Sequence, residues 1–281
     1  MEAIESGCEF NISASVLKII AVVTMLTDHI GAVVIEFIIY KQLVSGITPS
    51  DDIYLADNVL RRIGRIAFPI FIFLLIEGFY HTRSRAKYLF RLSVFALVSE
   101  IPFDLGFNFT GTDFAKISWF GLKGSSQAHQ VIPELSYQNV FFTLAIGFAL
   151  IWIADQLTSP GETENAGTLE IIFRHVICVA AVIGFSLGAQ RFNCDYAAAG
   201  VLAIFAAYMA SRTGNYLIVF LASVTVLAVL SSGIELYALA ALPLIACYHG
   251  DKGKGLGKWF FYIFYPAHIF VLAVIKKLVV N

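Results

Sequence analysis

Leu17-Lys-Ile-Ile-Ala-Val-Val-Thr-Met-Leu-Thr-Asp-His-Ile-Gly31 decides the class of this protein. It sits inside an apolar run from 16 to 39. A helical membrane span takes roughly 20 mostly apolar residues, so the run is long enough to cross a bilayer. Lys18, Asp28 and His29 interrupt it. Ionisable groups inside a span are costly and mark a functional site by default. A second apolar run opens soon afterwards on Arg61-Arg62-Ile-Gly-Arg65.

Composition agrees with that reading. The 281 residues are 58% hydrophobic and 14% charged, with a mean hydropathy of +0.78. Soluble domains run at about 45–50% apolar and about 25% charged. The expectation is an all-α, polytopic transmembrane helix bundle, a single integral membrane domain over 1–281. About nine spans (eight to ten) are predicted, near 16–39, 60–80, 88–107, 138–157, 170–188, 196–211, 215–231, 234–248 and 259–279. The first ten residues carry Glu2, Glu5 and Glu9 and no basic region, so no cleavable signal is read and the first span serves as its own. A net charge of −1 with no basic run gives no reason to expect nucleic acid. Cys8, Cys178, Cys194 and Cys247 lack metal-ligand spacing, and no metal is expected. Cys178 and Cys247 read as small core residues.

Basic residues orient the bundle. Arg83, Arg85, Lys87 and Arg91, then Arg212, then Lys252, Lys254 and Lys258 fall on one side of a nine-span chain. The positive-inside rule makes that side cytoplasmic, with the N-terminus inside. Glu162 and Glu164 dissent, but acidic residues weigh little in the rule. Lys276 and Lys277 end the last span outside, where they can snorkel. The outer loops are 41–58 and 108–137. The second carries Phe109, Phe114, Trp119, Phe120, Gly121, Gly124 and Pro133, and reads equally as a cover for a site or as a variable surface loop.

Helix geometry then sorts the polar residues. Lys18 to His29 is eleven steps, almost three turns, so the two share a face roughly 16 Å apart. Asp28 points about 100° away from His29, so the neighbours form no dyad. Arg61 and Arg65 are i,i+4, and Arg62 and Arg65 are i,i+3. Glu100 and Asp104 flank Pro102, a helix-kinking residue. His29, Arg62, Arg65, Glu100 and Asp104 thus reach one depth from three consecutive spans. Buried charges need partners, so a polar cluster is expected there, bordered by Gln138 and Asn139. A second polar level lies nearer the cytoplasm, with Lys18, Glu77, Tyr80, His81, Arg83 and Arg85. Tyr262, Tyr265 and His268 follow in the last span, where Pro266 should break the helix.

Each assignment has a bland counterpart. Arg61 reads as an interface anchor. Arg62 and Arg65 can simply pair with Glu100 or Asp104, and His29 can be a hydrogen-bonded core histidine. His81 reads first as an interface residue, and His129, His175 and His249 as incidental. The 250–258 loop, rich in Gly and Lys, can touch an anion or be a flexible positive loop.

Several blocks together resemble the TraX family, that of the membrane protein that N-acetylates F-type pilin. They are Leu17 to Gly31, Leu60-Arg-Arg-Ile-Gly-Arg-Ile-Ala-Phe-Pro-Ile-Phe71, Glu77-Gly-Phe-Tyr-His-Thr-Arg83, Ser99-Glu-Ile-Pro-Phe-Asp104, Gln138-Asn-Val-Phe-Phe142 and Phe261-Tyr-Ile-Phe-Tyr-Pro-Ala-His268. They cover nearly the whole chain in order. More distantly, the Lys18–His29 spacing and Arg62-Ile-Gly-Arg65 are similar to motifs of the acyltransferase-three family, which passes acyl groups from cytoplasmic acyl-CoA to outer acceptors.

The resemblance implies a membrane-bound acyltransferase in the cytoplasmic membrane of a bacterium, moving an acetyl group from acetyl-CoA to a peptide or glycan acceptor. His29 is then the general base. Arg62 or Arg65 stabilises the oxyanion, and Glu100 or Asp104 holds these groups in place. Lys18, Glu77, His81, Arg83, Arg85, Tyr265 and His268 are candidates for acetyl-CoA binding. Asp28, Gln138 and Asn139 are candidates for the acceptor. The lipid bilayer is the third partner. An ion-coupled transporter or a non-catalytic accessory protein also places such residues in a membrane.

Overall fold

The computed structural model describes residues 11–108, 117–119, 130–134, 136–163, 166–255 and 257–280. Phe109, Phe114, Phe120, Gly121, Gly124 and His129 of the second outer loop, with Glu164 and Cys8, lie outside the described residues. The chain is an all-α bundle. The described part of that loop adds only β1 (Ile117–Trp119) and β2 (Gln130–Ile132), paired in parallel.

The first helix starts at α1 (Ala14–His29), capped by the Ser13 side chain. It turns π-helical over Ile30–Ile35 and resumes as α2 (Glu36–Val44). Two helices follow where the sequence suggested one. The amphipathic α3 (Asp51–Gly64) and the apolar α4 (Ala67–His81) part at a turn at 65–66. Hydropathy merged them because Ile63 and Ile66 bridge the break. α5 (Arg85–Phe103) contains Pro102 and passes into a second π-helical segment, Asp104–Asn108. Then come α6 (Val140–Thr158), the short α7 (Pro160–Thr163), α8 (Thr168–Arg191), α9 (Ala197–Ser211) and α10 (Tyr216–Leu230). Residues 234–248, expected as a span, are instead a 3₁₀ helix, Gly233–Ala241, running into α11 (Leu242–Ala246). α12 (Lys258–Val280) closes the chain and runs through Pro266 without the expected break.

Among the described residues, four helical stretches are long and apolar enough to cross a membrane: Ala14–Val44, Val140–Thr158, Thr168–Arg191 and Trp259–Val279. α4 occupies the centre. It is apolar all round, and such helices are buried; eleven of its fifteen residues are. It packs on α1, α6, α9 and α10. Between apolar helices in lipid, association rests on close van der Waals contact, which small residues permit. Gly147 on α6 and Gly200 on α9 do this in turn. A Cβ on Gly147 would lie 2.4 Å from Ile204, and one on Gly200 would lie 2.6 Å from Thr143. α8 lies at the edge, with Leu169, Phe173, Val179 and Leu187 exposed.

The lead-in to α1 is tied to the segment between α11 and α12. Ile12 N–H donates to Cys247 O (2.8 Å), Ala14 N–H to Asp251 O (2.7 Å), and the Ser15 hydroxyl to Lys252 O (2.8 Å). Carbonyls of the 247–252 segment thus take up N–H groups that a helix start leaves unpaired. Cys247 is disulfide-bonded rather than a free core residue, whereas Cys178 and Cys194 are free and buried.

Candidate functional site

His29 ends α1 where the helix changes to π geometry, and π-bulges are frequent at functional sites. Its Nδ1 lies 2.7 Å from Nε2 of His268 on α12. The rings are 11° from parallel with centroids 4.9 Å apart. That separation is the N···N distance plus two ring radii, so the rings meet edge to edge in one plane, not face to face. His268 Nδ1 in turn lies 2.7 Å from the Phe264 carbonyl. Phe107, from the second π segment, meets His29 edge-on at 5.2 Å, and Tyr265 does so at 6.0 Å. Both π segments pack on α12. The position of His268 along the last span predicts a place near mid-membrane; the fold brings it onto His29.

A cavity of about 490 Å³ approaches this pair, with Tyr265 lying between its wall and the two rings. At one end its wall holds Lys18, His81, Thr82, Arg91 and Lys252. At the other it holds Met25, Phe71, Phe141 and Tyr265. The helices give it direction: α1 runs from Lys18 to Met25, about 10 Å, and α4 runs antiparallel from Phe71 to His81. His29 lies one turn beyond Met25 on the same face, and Tyr265 both lines the inner end and touches both histidines. Lys18 Nζ sits 5.7 Å from the Phe261 ring. Glu77 accepts a hydrogen bond from Tyr248 (2.8 Å) and stands 3.7 Å from His81. The shape is a cationic mouth on an aromatic shaft, suited to an anionic ligand with a long apolar arm. Among the described residues no group of three His, Cys, Asp or Glu side chains could hold a metal ion.

Asp28 turns to the other side of α1. Its Oδ2 accepts from Arg61 and its Oδ1 from Arg65, each at 2.6 Å, and Arg65 also reaches Glu235 at 3.1 Å. Gly64 makes the approach possible, because a Cβ there would lie 2.2 Å from Asp28. Arg61 adds Glu36 at 3.4 Å. The expected partners differ on three counts. Arg61 is a member of the cluster and not an anchor. Arg62 is exposed, with its guanidinium 4.8 Å from the centre of the Tyr237 ring. Arg65 pairs with Asp28 and Glu235, not with Glu100 or Asp104. The turn at 65–66 explains this, since α3 lies along α1 and the first π segment and presents its Arg61 face to them.

Glu100 meets Asn139, which donates to it and to Ala96 O (2.8 Å) while capping α6. Asp104 accepts from the Glu134 amide at 2.8 Å. Gln138 is buried and bridges to the 193–195 turn through Asn193 O (3.0 Å) and Asp195 N (2.8 Å). In that turn Asp195 takes the Tyr137 hydroxyl at 2.8 Å, and burial raises its carboxyl above the ordinary range. Arg85 is bound to Asp155 at 2.7 Å and stacked on Phe79, and Arg83 is exposed; neither lines the cavity. Lys276 does not snorkel. It is buried, donates to Gly106 O at 2.8 Å and sits 5.0 Å from the Phe37 ring. His175 and His249 each bond a backbone carbonyl.

Sequence reasoning missed the cavity residues Tyr88, Arg91 and Tyr248. Arg91 carried a signal, since it lies one turn inside α5 from Lys87 and shares the basic loop's height.

Comparison with known proteins adds identity to this geometry. A family model described as TraX protein matches residues 13–276. A probable fimbrial assembly protein, FimC of serogroup H1 from Dichelobacter nodosus, is 28% identical over 278 residues, covering 94% of this chain and 96% of its own. No solved structure matches.

Proposed function

This chain belongs to the TraX family, and from that premise we propose that it is a multi-pass acyltransferase of the bacterial cytoplasmic membrane. It takes an acetyl group from acetyl-CoA and passes it to an acceptor at the outer side, the N-terminal amine of a fimbrial peptide. The observation that supports this reading is the cavity running from Lys18, Arg91 and Lys252 to Tyr265, whose ring adjoins the buried histidines. The cations receive the phosphates, the aromatic shaft takes the pantetheine arm, and the thioester arrives beside His29. His29 removes a proton from the amine as nitrogen bonds to the thioester carbonyl carbon. The C–S bond then breaks and the CoA sulfur takes that proton back from His29. The products are the acetylated amine and free CoA.

The positive-inside rule places the mouth in the cytoplasm, where acetyl-CoA is made. The disulfide at Cys247 weighs the other way, because such bonds persist in oxidising compartments. Lys254→Cys decides between them: protection from a membrane-impermeant maleimide in intact cells supports the cytoplasmic mouth, and labelling reverses it. The activity itself is tested with purified protein, radiolabelled acetyl-CoA, and peptide and glycan acceptors. Turnover should fall at least about 100-fold in His29→Ala. Folded protein that neither binds acetyl-CoA nor releases CoA would leave a transporter or accessory protein.

A further inference from the structure

Neither His29 nor His268 lines the cavity wall, and His268 holds the one ring nitrogen contact that His29 makes among the described residues. The proton inventory of the pair follows from which atoms can donate. The Phe264 carbonyl can only accept, so His268 Nδ1, 2.7 Å away, carries a hydrogen. In a neutral imidazole the other nitrogen is then a lone pair. His268 Nε2 must accept, and the atom 2.7 Å from it, His29 Nδ1, must donate. With its hydrogen on Nδ1, His29 has its lone pair on Nε2. The in-plane, edge-to-edge geometry at 11° and 4.9 Å is what such a bond requires.

We infer that His268 is a positioning residue: held by the Phe264 carbonyl, it fixes His29 as the Nδ1–H tautomer and presents Nε2 as the basic atom. This deepens the acyltransferase reading and rests on it for its catalytic meaning, but the tautomer stands independently. When Nε2 takes the acceptor's proton, the imidazolium that forms keeps its Nδ1–H bond to His268 and is stabilised through it. Aspartate does this in serine hydrolases. Here a neutral imidazole backed by a helix carbonyl takes its place, and adds no net charge to the apolar interior.

The test uses the full-length protein, with ¹⁵N-labelled histidine and the His29 signals assigned through His29→Gln. Wild-type His29 should show a protonated Nδ1 and an unprotonated Nε2. The reverse pattern overturns the inference whatever the activity. In the acetyl transfer assay, His268→Ala should lower kcat by about 100-fold with KM for acetyl-CoA unchanged. His268→Gln, whose side-chain oxygen can accept from Nδ1–H, should restore at least part of that loss. Equal losses in both variants, each folded and each with its His29 tautomer unchanged, would reduce His268 to packing. Wild-type protein with the expected tautomer but no acetyl transfer would sink the acyltransferase reading and leave the hydrogen-bond assignment intact.

Discussion

Asp28 and His29 are neighbours in the chain, yet the helix sends them to two polar regions of different kind. Asp28 enters a set of full charges that compensate one another, with Arg61, Arg65 and Glu235 around it. His29 enters a chain of hydrogen bonds beside Tyr265, which lines the inner end of a cavity. In the first region both Asp28 oxygens are used, and its bonds join α1, α3 and the Gly233–Ala241 helix. The second adjoins the inner end of the cavity through Tyr265. Mutually paired charges hold helices in register, whereas chemistry needs a group with a lone pair and an approach.

The comparison can be broken at its strongest point with Arg65→Met. Removing one member of a buried ion cluster strands the others and costs about 3–5 kcal/mol. We expect a large drop in melting temperature in detergent, and an unchanged melt would remove the structural role. Gly64→Ala strikes the same region by crowding, with the new Cβ 2.2 Å from Asp28. Overpacking of this kind costs about 1–3 kcal/mol. Gly184→Ala, with nothing within 4 Å, serves as the control, and equal melts for the two would refute the close contact. The smallest effect belongs to the mouth. Lys252 is exposed, and single exposed charges contribute about 1 kcal/mol or less. Lys252→Ala should raise KM for acetyl-CoA by up to about fivefold, leave kcat alone, and lose its effect in high salt. A fall in kcat instead would place Lys252 somewhere other than a docking site.

Much of this was legible in the residues, for reasons that also explain what was not. Lys18 and His29 share a face because one helix carries both, and helix periodicity needs no tertiary information. The separation of Asp28 from His29 followed from the same angle. The identity of the pairs is another matter. Whether Arg61 or Arg62 turns inward depends on the turn at 65–66, and Gly64 signals it only once Asp28 is known to be opposite. The amphipathic α3 was hidden because its exposed Leu55, Val59 and Ile63 are spaced by four among charges, too sparse for a span. Glu100 was placed at the right helix level, but its partner, Asn139, comes from beyond the second outer loop. His268 could be given a height from Lys258, never a neighbour.

The loop that ties Asn11–Ser15 to 247–252, and the histidine pair drawn from α1 and α12, have a consequence for synthesis. His29 emerges early and His268 nearly last, 239 residues later. A ribosome delivering this chain into the membrane cannot complete the reactive pair until almost every helix is in place. Contacts so distant in sequence form slowly. On the acyltransferase reading, a chain that has not yet brought α12 against α1 is expected to be inert toward a thioester.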